Sequence, residues 1–139
     1  MAMRAGIEQL NGNVKILGGI LSFPYFLSSI QYIRDRMLSM MWVFVNPLAE
    51  NGIDDPMINP LIKKALRLEE SACLKMLVCL AEEDELRNMG IGYAKSVEKC
   101  GKLVEAVDIE GEDHCFQILD PENDKSKYLI NRTANFMKH

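Results

Sequence analysis

Two histidines occur in this chain, His114 and the terminal His139. Proton-transfer chemistry near neutral pH falls first on His114, because imidazole is the side chain whose ordinary titration lies there. It follows Glu110-Gly111-Glu112-Asp113. A second acidic run, Glu82-Glu83-Asp84-Glu85, lies well upstream. A carboxylate that reaches an imidazole can fix its tautomer and stabilise the imidazolium, which makes a general base. On spacing alone the same residues also fit blander roles. A histidine among acids can be a solvated surface residue, and the run 82–85 can be a polar strand end feeding the positive end of a helix dipole. The choice depends on whether the fold joins the two segments.

The elements that would join them read as alternating strand and helix. Val14 to Phe23 is continuous and apolar, bounded by Asn-Gly and by Pro24, which predicts a strand buried on both faces. Ser28 or Ser29 can cap a helix with Ile30, Ile33, Met37, Met41 and Phe44 at helical steps, stopped by Asn46-Pro47. A polar loop from Glu50 to Pro60 follows, then a short helical stretch from Leu61 to Leu68. Leu74 to Leu80 reads as a second buried strand. A helix over 85–100 carries Leu86, Met89, Tyr93, Val97 and Cys100 on one stripe and ends at Gly101. Leu103 to Ile109 reads as a third strand, less apolar and so nearer an edge. Asp120-Pro121 would cap a last helix with Leu129, Thr133, Phe136 and Met137 on its apolar side.

This pattern predicts an α/β fold with about three parallel strands and flanking helices. In such sheets ligand sites lie beyond the carboxyl ends of the strands. That is where Asp84 and His114 fall.

Other residues lend themselves to quieter readings. Cys73, Cys79, Cys100 and Cys115 include no C-x-x-C pair and read as small buried thiols in a reducing compartment. With so few histidines no metal site is expected, and no cofactor. Asp54-Asp55 fits a turn before proline. Gly90-Ile91-Gly92 falls inside a helical pattern and lacks the third glycine of a dinucleotide loop. Asn131-Arg132-Thr133 has the form of a glycosylation sequon, which an intracellular helix leaves unused. The Met- and aromatic-rich helix over 29–45 reads as core packing, with a pocket wall as the alternative.

Composition narrows the class. With 139 residues, 48% hydrophobic and 26% charged, the chain suits one globular domain rather than a disordered or fibrous protein. A net charge of −4 argues against nucleic acid and anionic membranes as partners. The apolar stretch Ile16 to Leu27 is interrupted by Gly18, Gly19, Ser22 and Pro24, short of the roughly 20 residues of a membrane span. No signal-peptide layout opens the sequence, so a cytoplasmic protein is expected.

Four segments then carry a specific resemblance. LVCLAEEDELRNMG (77–90) with EGEDHCF (110–116), ILSFPYF (20–26), DDPMINPL (54–61) and MAMRAG (1–6) are together similar to the final third of the plant carboxylesterase family, within the α/β-hydrolase superfamily. Phe23 stands where that family usually has histidine. The resemblance implies that Asp84 is the acid and His114 the base of a Ser-Asp-His triad acting on a small-molecule ester. Retention of His114 sets the chain apart from the family's gibberellin-receptor relatives.

The rest of that machinery has no counterpart here. None of the seven serines has the flanking glycines of G-x-S-x-G, and no His-Gly-Gly-Gly loop occurs. The expectation is therefore a single partial domain over 1–139 that lacks the N-terminal strands, oxyanion loop and nucleophile elbow, and is inactive alone. Its unpaired first strand would invite self-association. A catalytically dead binding or interaction module, and a half active only beside a complementing chain, are the alternatives.

Overall fold

The computed structural model describes residues 16–31, 36–65, 67–71 and 73–138. Three parallel strands, β1 (Gly19–Ser22), β2 (Lys75–Ala81) and β3 (Leu103–Ile109), lie in the order β1-β2-β3. Gly19 sits beside Met76 and Ser22 beside Cys79; Lys75 sits beside Leu103 and Ala81 beside Ile109. Among the described residues four α-helices accompany them, α1 (Arg36–Val45), α2 (Arg87–Lys99), α3 (Phe116–Leu119) and α4 (Asp124–Lys138), with two short 3-10 turns at Gly52–Asp54 and Leu68–Glu70.

β2 is central because it is apolar on both faces. Leu77, Cys79 and Ala81 turn toward one layer, where Val107, Phe116 and Leu129 of α4 join them. Met76, Val78 and Leu80 turn toward the other, against Tyr93, Ala94 and Val97 of α2. The two-residue period of the strand thus feeds two cores. α2 ends as its sequence requires. Gly101 adopts φ +76, its N–H donates to Glu98 O at 2.9 Å, and the Lys102 N–H returns to Val97 O at 3.4 Å.

The strands over 74–80 and 103–109 and the helix over 85–100 are found within a residue or two of their expected bounds, and β3 is the edge strand expected. The first strand is shorter than expected. It covers Gly19–Ser22 and is half-buried rather than covered on both faces, because its only strand partner among the described residues is β2. Val14 and Lys15 lie outside the described residues, as do Ile33, the 1–6 segment and His139.

The expected helix start at Ser28 or Ser29 is not found: 29–31 form a turn, and Ile30 is 94% exposed. No residue of α1 is buried, so the core-packing reading of its methionines is corrected. Only Leu38 and Trp42 lean on a small cluster of Leu27, Ile58 and Leu86. The expected helix over 61–68 is not found: 61–65 form turns and bends, and Leu68–Glu70 is a 3-10 turn. The last helix begins at Asp124. Asn123 Oδ1 accepts the Lys125 N–H at 2.9 Å and so caps it in place of Asp120, whose carbonyl instead takes the Ser126 hydroxyl at 2.6 Å.

Two of the thiols, Cys73 and Cys79, are buried; Cys100 and Cys115 are half-buried, and all four are free. Hydrogen bonds hold the Asp54-Asp55 turn. Asp54 Oδ1 accepts the Ser29 N–H and the Asn59 amide, both at 3.0 Å, and these bonds, with the Ser29 side chain first, hold its carboxyl below the usual carboxylate range.

Candidate functional site

Parallel pairing of β2 with β3 puts the loops that leave their carboxyl ends side by side. Ala81 and Ile109 are the last partners in register. Beyond them the ladder continues as loop-to-loop bonds: Glu82 N–H to Ile109 O and Glu83 N–H to Glu112 O, each 2.9 Å. Gly111, at φ +65, makes the turn, and its N–H donates to Glu82 Oε2 at 2.8 Å. Lys125 of α4 pins the same loop from outside, through Glu110 O at 2.7 Å and the Glu112 carboxylate at 3.4 Å.

On this frame the two acidic runs meet. His114 Nδ1 lies 2.8 Å from Asp84 Oδ2. The Asp84 side chain is 6% exposed and that of His114 37%, so the acid is enclosed and the imidazole opens toward solvent. Asp84 is also fixed from behind, since Oδ1 accepts the Leu86 N–H at 2.8 Å at the entry to α2. His114 is set by its own loop, where its N–H donates to Asp113 Oδ1 at 2.6 Å and Cys115 turns the chain at φ 57 into α3.

The hydrogen bond from Asp84 raises the His114 pKa above its usual 6.5; burial opposes this, and the charges of Asp84 and Asp113 add to it. With a carboxylate accepting at Nδ1, the neutral ring keeps its proton there and a lone pair on Nε2. That is the arrangement of a general base whose tautomer is set by an acid.

Of the surrounding acids, Glu82 and Glu112 serve the loop rather than the imidazole. Ser96 and Ser126, on α2 and α4, spend their hydroxyls on Gly92 O and Asp120 O. Gly90-Ile91-Gly92 lies within α2. Asn131 and Thr133 lie on α4, whose Arg132 pairs with Glu105 of β3. Among the described residues no cluster of His, Cys, Asp and Glu could hold a metal, and no helix is long and apolar enough to cross a membrane.

One neighbour of the pair was legible only as a substitution. The Phe23 and His114 rings make a T-shaped contact, with centroids 5.9 Å apart and planes at 64°. A phenylalanine before a proline carries no sequence signal that it will leave the end of β1 and turn toward a histidine from another strand's loop.

The chain has clear relatives. A profile of the alpha/beta hydrolase fold matches residues 22–118. A 2-hydroxyisoflavanone dehydratase of Glycyrrhiza echinata is 41% identical over 98% of this chain and 44% of its own length. A protein of Arabidopsis thaliana named "Probable carboxylesterase 13" is 31% identical over 99% of this chain and 46% of its own. The chain thus spans less than half the length of these curated relatives. A fungal esterase from Rhizomucor miehei shares the fold, with a TM-score of 0.68 at 21% identity, over 99% of this chain and 46% of that structure.

Proposed function

The chain belongs to the α/β-hydrolase family, and from that premise we propose that it is the C-terminal portion of a carboxylesterase-type serine hydrolase, supplying the acid and the base of the triad. The observation that carries this reading is the 2.8 Å contact between His114 Nδ1 and the enclosed carboxylate of Asp84, at the carboxyl ends of neighbouring parallel strands.

In the assembled enzyme, Nε2 of His114 takes the proton of a serine hydroxyl supplied from upstream of this chain. The oxygen attacks the ester carbonyl, and the imidazolium returns the proton to the leaving alkoxide. Water then enters by the same base and releases the acid. Asp84 holds the ring and stabilises its positive charge throughout. The nucleophile and the amides that bind the oxyanion come from outside this chain, and a single such amide is worth on the order of 10²–10³ in rate.

The 41% relative favours a second reading, since its name states a dehydration. There the same base would take a proton from the carbon beside the one that loses its hydroxyl, and water would leave. Both readings place the reacting proton on His114 and differ in the bond that breaks.

Alone, the chain should not cleave p-nitrophenyl acetate above a buffer blank. Co-expressed with an upstream half that carries G-x-S-x-G and an oxyanion loop, it should gain turnover, and His114→Ala should then lower kcat by on the order of 10⁶. Turnover that survives His114→Ala sinks the proposal. A 2-hydroxyisoflavanone offered to the same complex separates dehydration from ester hydrolysis.

A further inference from the structure

Phe23 is an outlier in its own backbone. Its φ is 49, a left-handed conformation that bulky residues rarely adopt, and it precedes Pro24, which restricts it further. The strain is held in place. The Phe23 N–H donates to Cys79 O at 3.0 Å, which extends the β1–β2 ladder by one bond. Phe23 is 3% exposed, and its ring packs edge-to-face on Phe116, with centroids 5.8 Å apart and planes at 83°. It also meets the His114 ring, at 5.9 Å and 64°. That distance and tilt are those of a T-shaped aromatic contact.

We propose that Phe23 is a positioning residue for His114: its pinned ring walls the imidazole against Asp84 and so keeps the bond that holds its proton. The catalytic meaning of this rests on His114 being the triad base; the ring contact itself does not. A general base becomes positive when it accepts the nucleophile's proton, so a neighbour that favours the imidazolium favours that step. The charges that act on the ring are Asp84, from the loop after β2, and Asp113, from its own loop. Phe23 reaches it from the end of a third segment and adds an uncharged, apolar wall.

The test is a side-chain NMR titration of His114 in the full chain, with His139→Gln removing the other imidazole. Wild type should show an NOE between the rings of Phe23 and His114. Phe23→Leu keeps an apolar group there but removes the ring that holds the imidazole on Asp84, and should lower the His114 midpoint by roughly half a pH unit. Phe23→His, the residue the family resemblance expects, should lower it as well, since a second imidazole repels a positive one. A missing NOE, or an unmoved midpoint in either folded variant, overturns the proposal. Asp84→Asn separates the two claims. If it lowers the midpoint while Phe23→Leu does not, only the role of Phe23 fails; if Asp84→Asn itself leaves the midpoint in place, the acid–base pair fails.

Discussion

His114 links the site to the stability of the whole chain through its proton. Its pKa is raised above 6.5 in the folded protein, chiefly by the bond to Asp84, so the folded state holds the proton more tightly than the unfolded one. The stabilisation is therefore complete below 6.5 and is lost as pH rises through the folded value. The thiols of Cys73, Cys79 and Cys115 are pushed above their usual 9.0 by burial, so they stay silent in that window. Comparison with Asp84→Asn cancels the remaining titrating groups. The urea midpoint of wild type should fall more between pH 6 and 8.5 than that of Asp84→Asn. Equal slopes would mean that the 2.8 Å contact does not couple to protonation in solution.

At the scale of elements, α2 sets how closely the site loops approach the sheet, and Gly90 is where it comes nearest. A Cβ there would lie 2.4 Å from Leu80 Cδ2 and 3.3 Å from Cγ of Pro24, which directly follows Phe23. Gly90→Val should therefore destabilise by about 2 kcal/mol, as overpacking of a filled core does. Gly92→Ala, whose new Cβ would meet only the end of Leu61 at 3.3 Å, should stay within about 1 kcal/mol of wild type in the same urea titrations. If Gly90→Val is equally mild, Leu80 can yield and the close approach is not a constraint.

The same elements show what the sequence could and could not reveal. β2, α2 and β3 were legible because their apolar periods match their burial: Leu77, Cys79 and Ala81 on one face, Met76, Val78 and Leu80 on the other. α1 misled because the helical spacing of Met37, Met41 and Phe44 defines a face without saying what covers it. The start of α4 misled because Asp120 and Asn123 are both good caps, and the Asn123 bond to the Lys125 N–H decides between them. The proximity of Asp84 and His114 followed from topology, since adjacent parallel strands bring their following loops together. The left-handed turn at Phe23 did not, since phenylalanine is not a residue that announces such a backbone.

At the scale of the molecule, two surfaces remain unspent. The far edge of β1 has no strand partner among the described residues, and such an edge offers unpaired N–H and C=O groups to another chain. α1 exposes Met37, Met40, Met41 and Phe44, the last by 85%. Apolar side chains gathered on one helix in this way mark association surfaces in soluble proteins. With a net charge of only −4, electrostatic repulsion between copies is weak. The chain alone should therefore self-associate, with a weight-average mass in sedimentation equilibrium that rises above the monomer value as concentration increases. Met40→Glu with Phe44→Glu alters only exposed positions, so it should leave the far-UV circular dichroism unchanged while moving the mass toward the monomer. An upstream half that restores ester cleavage should have the same effect if it covers these surfaces. A wild-type chain that stays monomeric across the whole concentration range would show that neither the strand edge nor the α1 face drives association.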